Sequence, residues 1–186
     1  PLSNLDAKLR EEMLFELSRI QRSTGTTTIM VTHDQAEALS ISDRVVVMEA
    51  GRMTQVDTPF RLYENPANAF ISAFVGKMNR FDGVLKGGSA VLGGVGLPCA
   101  TGGLGDGDAA FTIRPEKITL VPPGSGYLDG TITRVFFLGQ NWLLHVETAA
   151  GMFLVSRTNE GSEPARIGDQ VALSWPEGAL RAERPA

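Results

Sequence analysis

The stretch that decides the fold of the first part of this chain is residues 26–38, which read TTTIMVTHDQAEA. Its first half is a run of β-branched and apolar residues, which favours a buried β-strand over residues 27–32. Its second half favours a helix, because Asp34 is a good N-cap and Glu37 follows at the spacing of a capping box. The sequence therefore predicts that His33 lies at the joint between a strand and a helix.

His33 is a candidate functional residue because of this predicted position. Ligands of open α/β sheets bind at the carboxyl ends of the strands, and a helix N-terminus nearby favours anions. A single histidine at a strand end is more often an ordinary polar residue than a catalytic one. The assignment therefore depends on the other motifs of the chain.

The composition is that of an ordinary globular protein, with 186 residues, 42% hydrophobic residues and 20% charged residues. This length allows one large domain or two small ones. The net charge of -4 argues against a nucleic-acid partner, and the single Cys99 excludes an intramolecular disulfide and a thiolate metal cluster. No apolar run has the length of a transmembrane helix, and we expect no signal peptide. Because the chain begins with Pro1, we expect it to be a fragment of a longer protein.

The first part of the chain predicts further helices and a hairpin. An amphipathic helix is expected over 6–22, with Leu9, Met13, Leu17 and Ile20 on a core-facing stripe that Leu14 widens. A buried strand at 45–48 should turn at Gly51 and return over 53–56. One short helix should begin at the capping pair 58–59 and end near Tyr63, and another should span 68–74.

From residue 78 onward the sequence is rich in glycine and predicts an all-β domain, so the domain boundary is placed there. Regularly spaced short strands are typical of a small barrel or sandwich. In the strand around Trp142, alternation places Trp142, Leu144 and Val146 inward and His145 outward. Strands are predicted at 79–85, 89–92, 109–114, 128–138, 141–148, 151–157 and 170–175.

Short motifs occur in order along nearly the whole chain: SNLD at 3–6, THDQAEA at 32–38, GRMTQVDTP at 51–59, IRPE at 113–116 and LG at 138–139. Together they resemble the C-terminal part of the ATP-binding subunit of an ABC importer with a TOBE domain, of the maltose, polyamine or ferric-ion type. The first motif resembles the D-loop and the second the switch region, or H-loop. The third resembles the hairpin and helix start that follow, and the last two resemble motifs of the TOBE domain.

The resemblance implies a fold and a set of site residues. Residues 1–77 would be the α/β remnant of a P-loop NTPase domain, and residues 78–186 an all-β, OB-like TOBE barrel. His33 would contact the γ-phosphate of ATP as the catalytic candidate. Asp6 would lie across a dimer interface from the partner's nucleotide and Ser3 would hold that loop, so Ser3, Asp6 and His33 are the nucleotide-binding candidates, with no metal ligand among them.

The resemblance also implies an ABC-type ATPase that couples ATP hydrolysis to solute uptake, with ATP and Mg²⁺ as cofactors of the complete subunit. Its partners would be a second ATPase subunit, transmembrane permease subunits and, indirectly, an extracytoplasmic solute-binding protein. It would lie peripherally on the cytoplasmic face of the inner membrane. The FVGKMN sequence at 74–79 favours the branch that imports polyamines or iron.

The chain itself lacks two parts of the family's ATP site. It contains neither a G-x-x-x-x-G-K-[ST] phosphate loop nor a signature motif of the L-S-G-G-Q type. We therefore expect no nucleotide to bind this chain alone, and we expect it to be catalytically inactive. A strand at 27–32 without its neighbour would also leave an open edge, which predicts self-association.

Two other functions remain open from the sequence. The second domain could act as a stand-alone OB-like module for binding, regulation or dimerisation. A phosphate loop upstream in the natural gene would favour the transporter subunit over that module. A hydrolase built on His33 and Asp34 is the weakest of the hypotheses, because the sequence shows no nucleophile that would pair with them.

Overall fold

The computed structural model describes residues 7–185. These residues divide into two compact units, the first ending at Gly76 and the second beginning at Lys77. Among the described residues, no helix is both long enough and apolar enough to cross a membrane.

The first unit contains four α-helices and one β-hairpin. Its elements are α1 (Ala7–Thr24), α2 (Gln35–Ile41), β1 (Val45–Glu49), β2 (Arg52–Asp57), α3 (Pro59–Glu64) and α4 (Ala69–Phe74). The core of this unit is small, and its buried apolar residues are Val47, Leu62, Ile71 and Val75.

Local capping chemistry sets most of these boundaries. The chain leaves α1 at Gly25, whose φ of 64° is readily adopted by glycine. Thr58 caps α3 by accepting the amide of Arg61, with a proline next to the cap, and Asn68 caps α4 by accepting the amide of Ile71 at 2.9 Å. The predicted hairpin is confirmed, with the turn at residues 50–51, and so are the two helix starts.

The prediction of a β-strand over residues 27–32 is wrong, because these residues form no strand in the structure. Ile29 and Val31 are 89% and 95% exposed. A strand exists only through its ladder of hydrogen bonds to neighbours, and within residues 7–76 β1 pairs with β2 and not with this segment. The α/β sheet of a P-loop domain is therefore not seen in the first unit.

Two predicted burial patterns in the first unit are wrong for most of their residues. In β1 only Val47 is buried, because this strand belongs to a two-stranded sheet with little packed on it. On α1 the four main residues of the predicted stripe, from Leu9 to Ile20, are 38–51% exposed, whereas Leu14, which was predicted to widen the stripe, is buried as expected. Both patterns leave apolar surface in contact with solvent.

The second unit consists of two five-stranded antiparallel sheets, with strand orders β10-β9-β8-β11-β7 and β12-β6-β3-β4-β5. Its strands are β3 (Asn79–Lys86), β4 (Ser89–Leu92), β5 (Val95–Pro98), β6 (Gly107–Ile113), β7 (Thr119–Val121), β8 (Leu128–Phe137), β9 (Asn141–Thr148), β10 (Gly151–Thr158), β11 (Gln170–Ser174) and β12 (Arg181–Glu183). The all-β prediction is confirmed, although β5, β7 and β12 were not predicted.

Both sheets contribute to one hydrophobic core, in which Phe111 of β6 and Phe153 of β10 are fully buried. The predicted alternation in β9 is confirmed, because Leu144 and Val146 are fully buried and Trp142 packs against the core. His145 is half-buried, and its ring lies 5.6 Å from that of Phe136.

The buried side chain of Asn79 joins the two sheets. At the start of β3 it accepts a hydrogen bond from the amide of Leu154 at 2.6 Å and donates to the carbonyl of Leu154 at 2.8 Å. It also donates to the carbonyl of Ile113 at 3.2 Å. Because β10 is an edge strand, the two bonds to Leu154 satisfy backbone groups that no neighbouring strand pairs with.

The IRPE and LG motifs have structural roles in this unit. Arg114 is buried and donates to the carbonyl of Lys77 at 3.2 Å. Pro115 opens a short 3-10 helix that ends at Lys117. Gly139, with φ of 80°, lies in the predicted turn between β8 and β9. These motifs shape the backbone of the second unit.

Candidate functional site

His33 lies in the loop between α1 and α2, directly before the N-cap of α2. Its side chain is exposed and lines an open cleft of about 1320 Å³ in the first unit. The walls of the cleft come from α1, the extended segment 26–34, α2 and β1, with further residues from α3 and α4. The imidazole is therefore available to a ligand, although the element before it is an extended loop and not a strand.

The start of α2 shows why the backbone around His33 adopts this conformation. The carboxylate of Asp34 accepts hydrogen bonds from the amides of Ala36 at 2.9 Å and Glu37 at 3.2 Å, so the predicted N-cap is confirmed. The amide of Asp34 itself donates to the hydroxyl of Thr32 at 3.0 Å. In a capping box that amide would bond to Glu37, so Thr32 takes the place that the sequence assigned to Glu37.

The carboxylate of Glu37 instead holds Thr32. The hydroxyl of Thr32 donates to Oε2 of Glu37 at 2.6 Å, and Glu37 is buried. Both neighbours of His33 are thus fixed by side-chain hydrogen bonds, Thr32 through Glu37 and Asp34 through the first turn of α2. A backbone held on both sides limits the directions in which the imidazole can point.

An arginine from α1 completes this group of charges. Nη1 of Arg10 lies 3.8 Å from Oδ2 of Asp34, and Nε of Arg10 lies 3.8 Å from Oε1 of Glu37. Arg10 was not among the predicted site residues, because a charged residue on an amphipathic helix is usually part of a solvated face. No spacing signal in the sequence distinguishes it from the other charged residues of α1.

The other two predicted site residues, Ser3 and Asp6, lie outside the described residues, as does the whole SNLD motif. Of the predicted site, the structure therefore describes only His33. Within residues 7–185 there is no cluster of histidine, cysteine and acidic side chains that could hold a metal ion. An exposed imidazole can donate a hydrogen bond to an anionic oxygen, but one such donor does not form a nucleotide site.

The chain is similar to known proteins along nearly its whole length. Residues 111–182 match the TOBE domain family. The chain is 38% identical over 179 residues to the spermidine/putrescine import ATP-binding protein PotA of Spiroplasma citri, a match that covers 94% of this chain and 50% of that protein. The chain is similar to ATP-binding subunits of ABC importers, and its residues 111–182 are similar to a TOBE domain. Since 113–116 and 138–139 lie inside the matched range, the resemblance to a TOBE domain is confirmed.

Other relatives in the ABC importer group agree with this. The PotA protein of Borreliella afzelii (strain PKo) is 42% identical over 175 residues, covering 93% of this chain and 49% of that protein. An uncharacterized ABC transporter ATP-binding protein, YdcT of Escherichia coli (strain K12), is 42% identical over 180 residues, covering 94% and 49%. The chain therefore spans about half the length of the curated relatives it matches.

A solved structure also resembles part of the chain. The cytoplasmic molybdate-binding protein ModG, crystallised with molybdate bound, aligns with a TM-score of 0.46 at 15% sequence identity. The alignment covers 57% of this chain and 96% of ModG.

Proposed function

We propose that this chain is part of the ATP-binding subunit of an ABC importer, in which ATP hydrolysis is coupled to solute uptake. The observation that carries the proposal is the similarity to import ATP-binding proteins over 94% of the chain, together with the TOBE domain. In this proposal the first unit belongs to the nucleotide-binding domain and the second unit to the TOBE domain. The complete subunit would use ATP and Mg²⁺.

The role proposed for His33 is to contact the terminal phosphate of ATP. Its exposed imidazole and its fixed neighbours Thr32 and Asp34 support this role. Phosphoryl transfer depends on positioning and on stabilising charge at the phosphoryl oxygens, so one well-aimed donor has a large effect. Asp6 is proposed to lie across the dimer interface from the partner subunit's nucleotide, and Ser3 is proposed to hold that loop.

The proposal extends to the cellular setting of the subunit. It would bind a second copy of itself and transmembrane permease subunits at the cytoplasmic face of the membrane, and would serve an extracytoplasmic solute-binding protein. We infer a polyamine as the solute, because relatives named for spermidine and putrescine import are similar along nearly the whole chain. The FVGKMN segment at 74–79 favours the same branch.

The test of this function compares the 186-residue chain with the complete subunit. Isothermal titration with ATP and Mg²⁺ should detect binding to the complete subunit and none to the 186-residue chain, which lacks a phosphate loop. In the complete subunit, His33→Ala should leave ATP binding intact and lower turnover by roughly 100-fold or more. A natural gene without a phosphate loop would contradict the transporter function and leave the stand-alone TOBE module.

A further inference from the structure

We propose that Arg10 is a positioning residue for His33, an inference that rests on the function proposed above. One guanidinium group faces two carboxylates, with 3.8 Å from Nη1 to Asp34 and 3.8 Å from Nε to Glu37. These carboxylates stand three residues apart at the start of α2, while Arg10 comes from a different helix. Arg10 thus ties α1 to the loop that carries His33.

The two carboxylates that Arg10 contacts are the ones that fix both neighbours of His33. Glu37 accepts the hydroxyl of Thr32, which precedes His33, and Asp34 follows it and caps α2. The side chain of Glu37 is only 11% exposed, so its charge is partly shielded from water. Without the guanidinium, two negative charges on one helical turn would repel each other in this setting.

The position of Arg10 in the chain strengthens the inference. It lies four residues after Asp6 in sequence, so the helix that it anchors is the one that follows the SNLD motif. Arg10 would therefore link the stretch proposed to face the partner's nucleotide to the loop proposed to contact this subunit's own nucleotide. It does not itself line the cleft beside His33, so its effect would pass through Asp34 and Glu37.

The experiment measures kcat and KM for ATP in the complete subunit carrying Arg10→Gln. A loosened His33 should misplace a group used in the transition state, so kcat should fall roughly 10- to 100-fold. KM for ATP should stay within about twofold, since ground-state binding would depend on other groups. Arg10→Lys should recover part of kcat, because one ammonium can pair with one of the two carboxylates but not both.

Arg19→Gln is the matched control. Arg19 lies on the same helix and pairs with Glu16 at 2.6 Å, but both side chains are exposed and the pair stays within α1. Its loss should change neither kcat nor KM. A fall in kcat equal to that of Arg10→Gln would overturn the inference, because any charge loss on α1 would then suffice.

A double-mutant cycle with Glu37→Gln separates positioning from general destabilisation. Because Arg10 acts through Glu37 as well as Asp34, the loss of kcat in the double variant should be smaller than the product of the two single losses. The inference would be overturned if the two single losses of kcat multiply in the double variant, or if KM of Arg10→Gln rises by the same factor by which its kcat falls. Unchanged kcat in Arg10→Gln, beside lost turnover in His33→Ala, overturns the positioning role alone, whereas full turnover in His33→Ala overturns the proposed function.

Discussion

Replacing Asn79 with alanine should strongly destabilise the second unit. The substitution removes three hydrogen bonds, to the amide of Leu154 at 2.6 Å and to the carbonyls of Leu154 and Ile113 at 2.8 and 3.2 Å. At about 1 kcal/mol for each lost bond at a buried site, the free energy of unfolding should fall by about 3 kcal/mol. This corresponds to roughly a 100-fold larger unfolded population.

Amide hydrogen exchange measures this change within the second unit. The core amides of Ile132 and Val146, which lie in strands β8 and β9, should exchange through global opening, so their exchange rates should rise by the same factor of roughly 100. Asn159→Ala is the control, because Asn159 also bonds to the backbone, at 3.0 Å to the carbonyl of Gly139, but is exposed. Its effect should stay within about 0.5 kcal/mol.

Asn79→Asp tests whether hydrogen bonding or side-chain volume is responsible. Aspartate has almost the same volume but no donor, and it would place a carboxylate oxygen against the carbonyls of Leu154 and Ile113. We expect it to destabilise the unit at least as much as alanine, because a buried carboxylate oxygen that faces two carbonyl oxygens has no donor to compensate its charge. A mild effect of Asn79→Asp, or a loss below about 1 kcal/mol for Asn79→Ala, would refute the reasoning.

Three further predictions concern other parts of the chain. Gly93→Ala should cost roughly 2 kcal/mol more stability than Gly87→Ala in urea unfolding, because a Cβ at Gly93 would lie 2.0 Å from the carbonyl oxygen of Ala149. Burial raises the pKa of the Cys99 thiol, and a backbone hydrogen bond that lowers the pKa offsets only part of this effect. Less thiolate therefore forms at a given pH, so alkylation should reach half its maximal rate at a higher pH in the folded chain than in urea. The 186-residue chain should self-associate in sedimentation velocity through its exposed segment 26–32, and Val31→Asp should weaken this.

Each of these predictions has an outcome that contradicts it. Gly87 has the same φ of 56° and nothing within 4 Å of its Cβ position, so equal losses at both glycines would exclude the clash as the cause. A Cys99 pKa that is the same in the folded chain and in urea would show that burial does not matter. Monomeric behaviour at micromolar concentrations would contradict the self-association.

The elements that could be predicted from the sequence are those fixed by local chemistry. Thr58 and Asn68 cap helices with their own side chains, and the alternation around Leu144 indicates a half-buried strand. Both kinds of signal depend only on residues a few positions away in the sequence. The strand at 27–32 could not be judged in this way, because a strand needs partners that the pattern of the strand itself does not reveal. The short strands β5, β7 and β12 have too few residues to show a period.

In the candidate site too, the contacts between residues close in sequence could be predicted, and the contacts between distant residues could not. Asp34 as a cap follows from a four-residue pattern, and His33 follows from its place before that cap. The contact of Arg10 with Glu37 joins residues 27 positions apart and depends on how α1 packs beside α2, which no local pattern encodes. Charged residues on helices are usually solvated, so their patterning gave no reason to separate Arg10 from Arg19.

The separation of helices and tryptophans between the two units has a practical consequence. Within residues 7–185 all four α-helices end by Phe74, whereas the two tryptophans of the chain, Trp142 and Trp175, lie in the second unit. Helical circular dichroism therefore reports the unfolding of the first unit, and tryptophan fluorescence reports that of the second. One sample, heated once and observed at both signals, gives two independent melting curves from a single unlabelled chain.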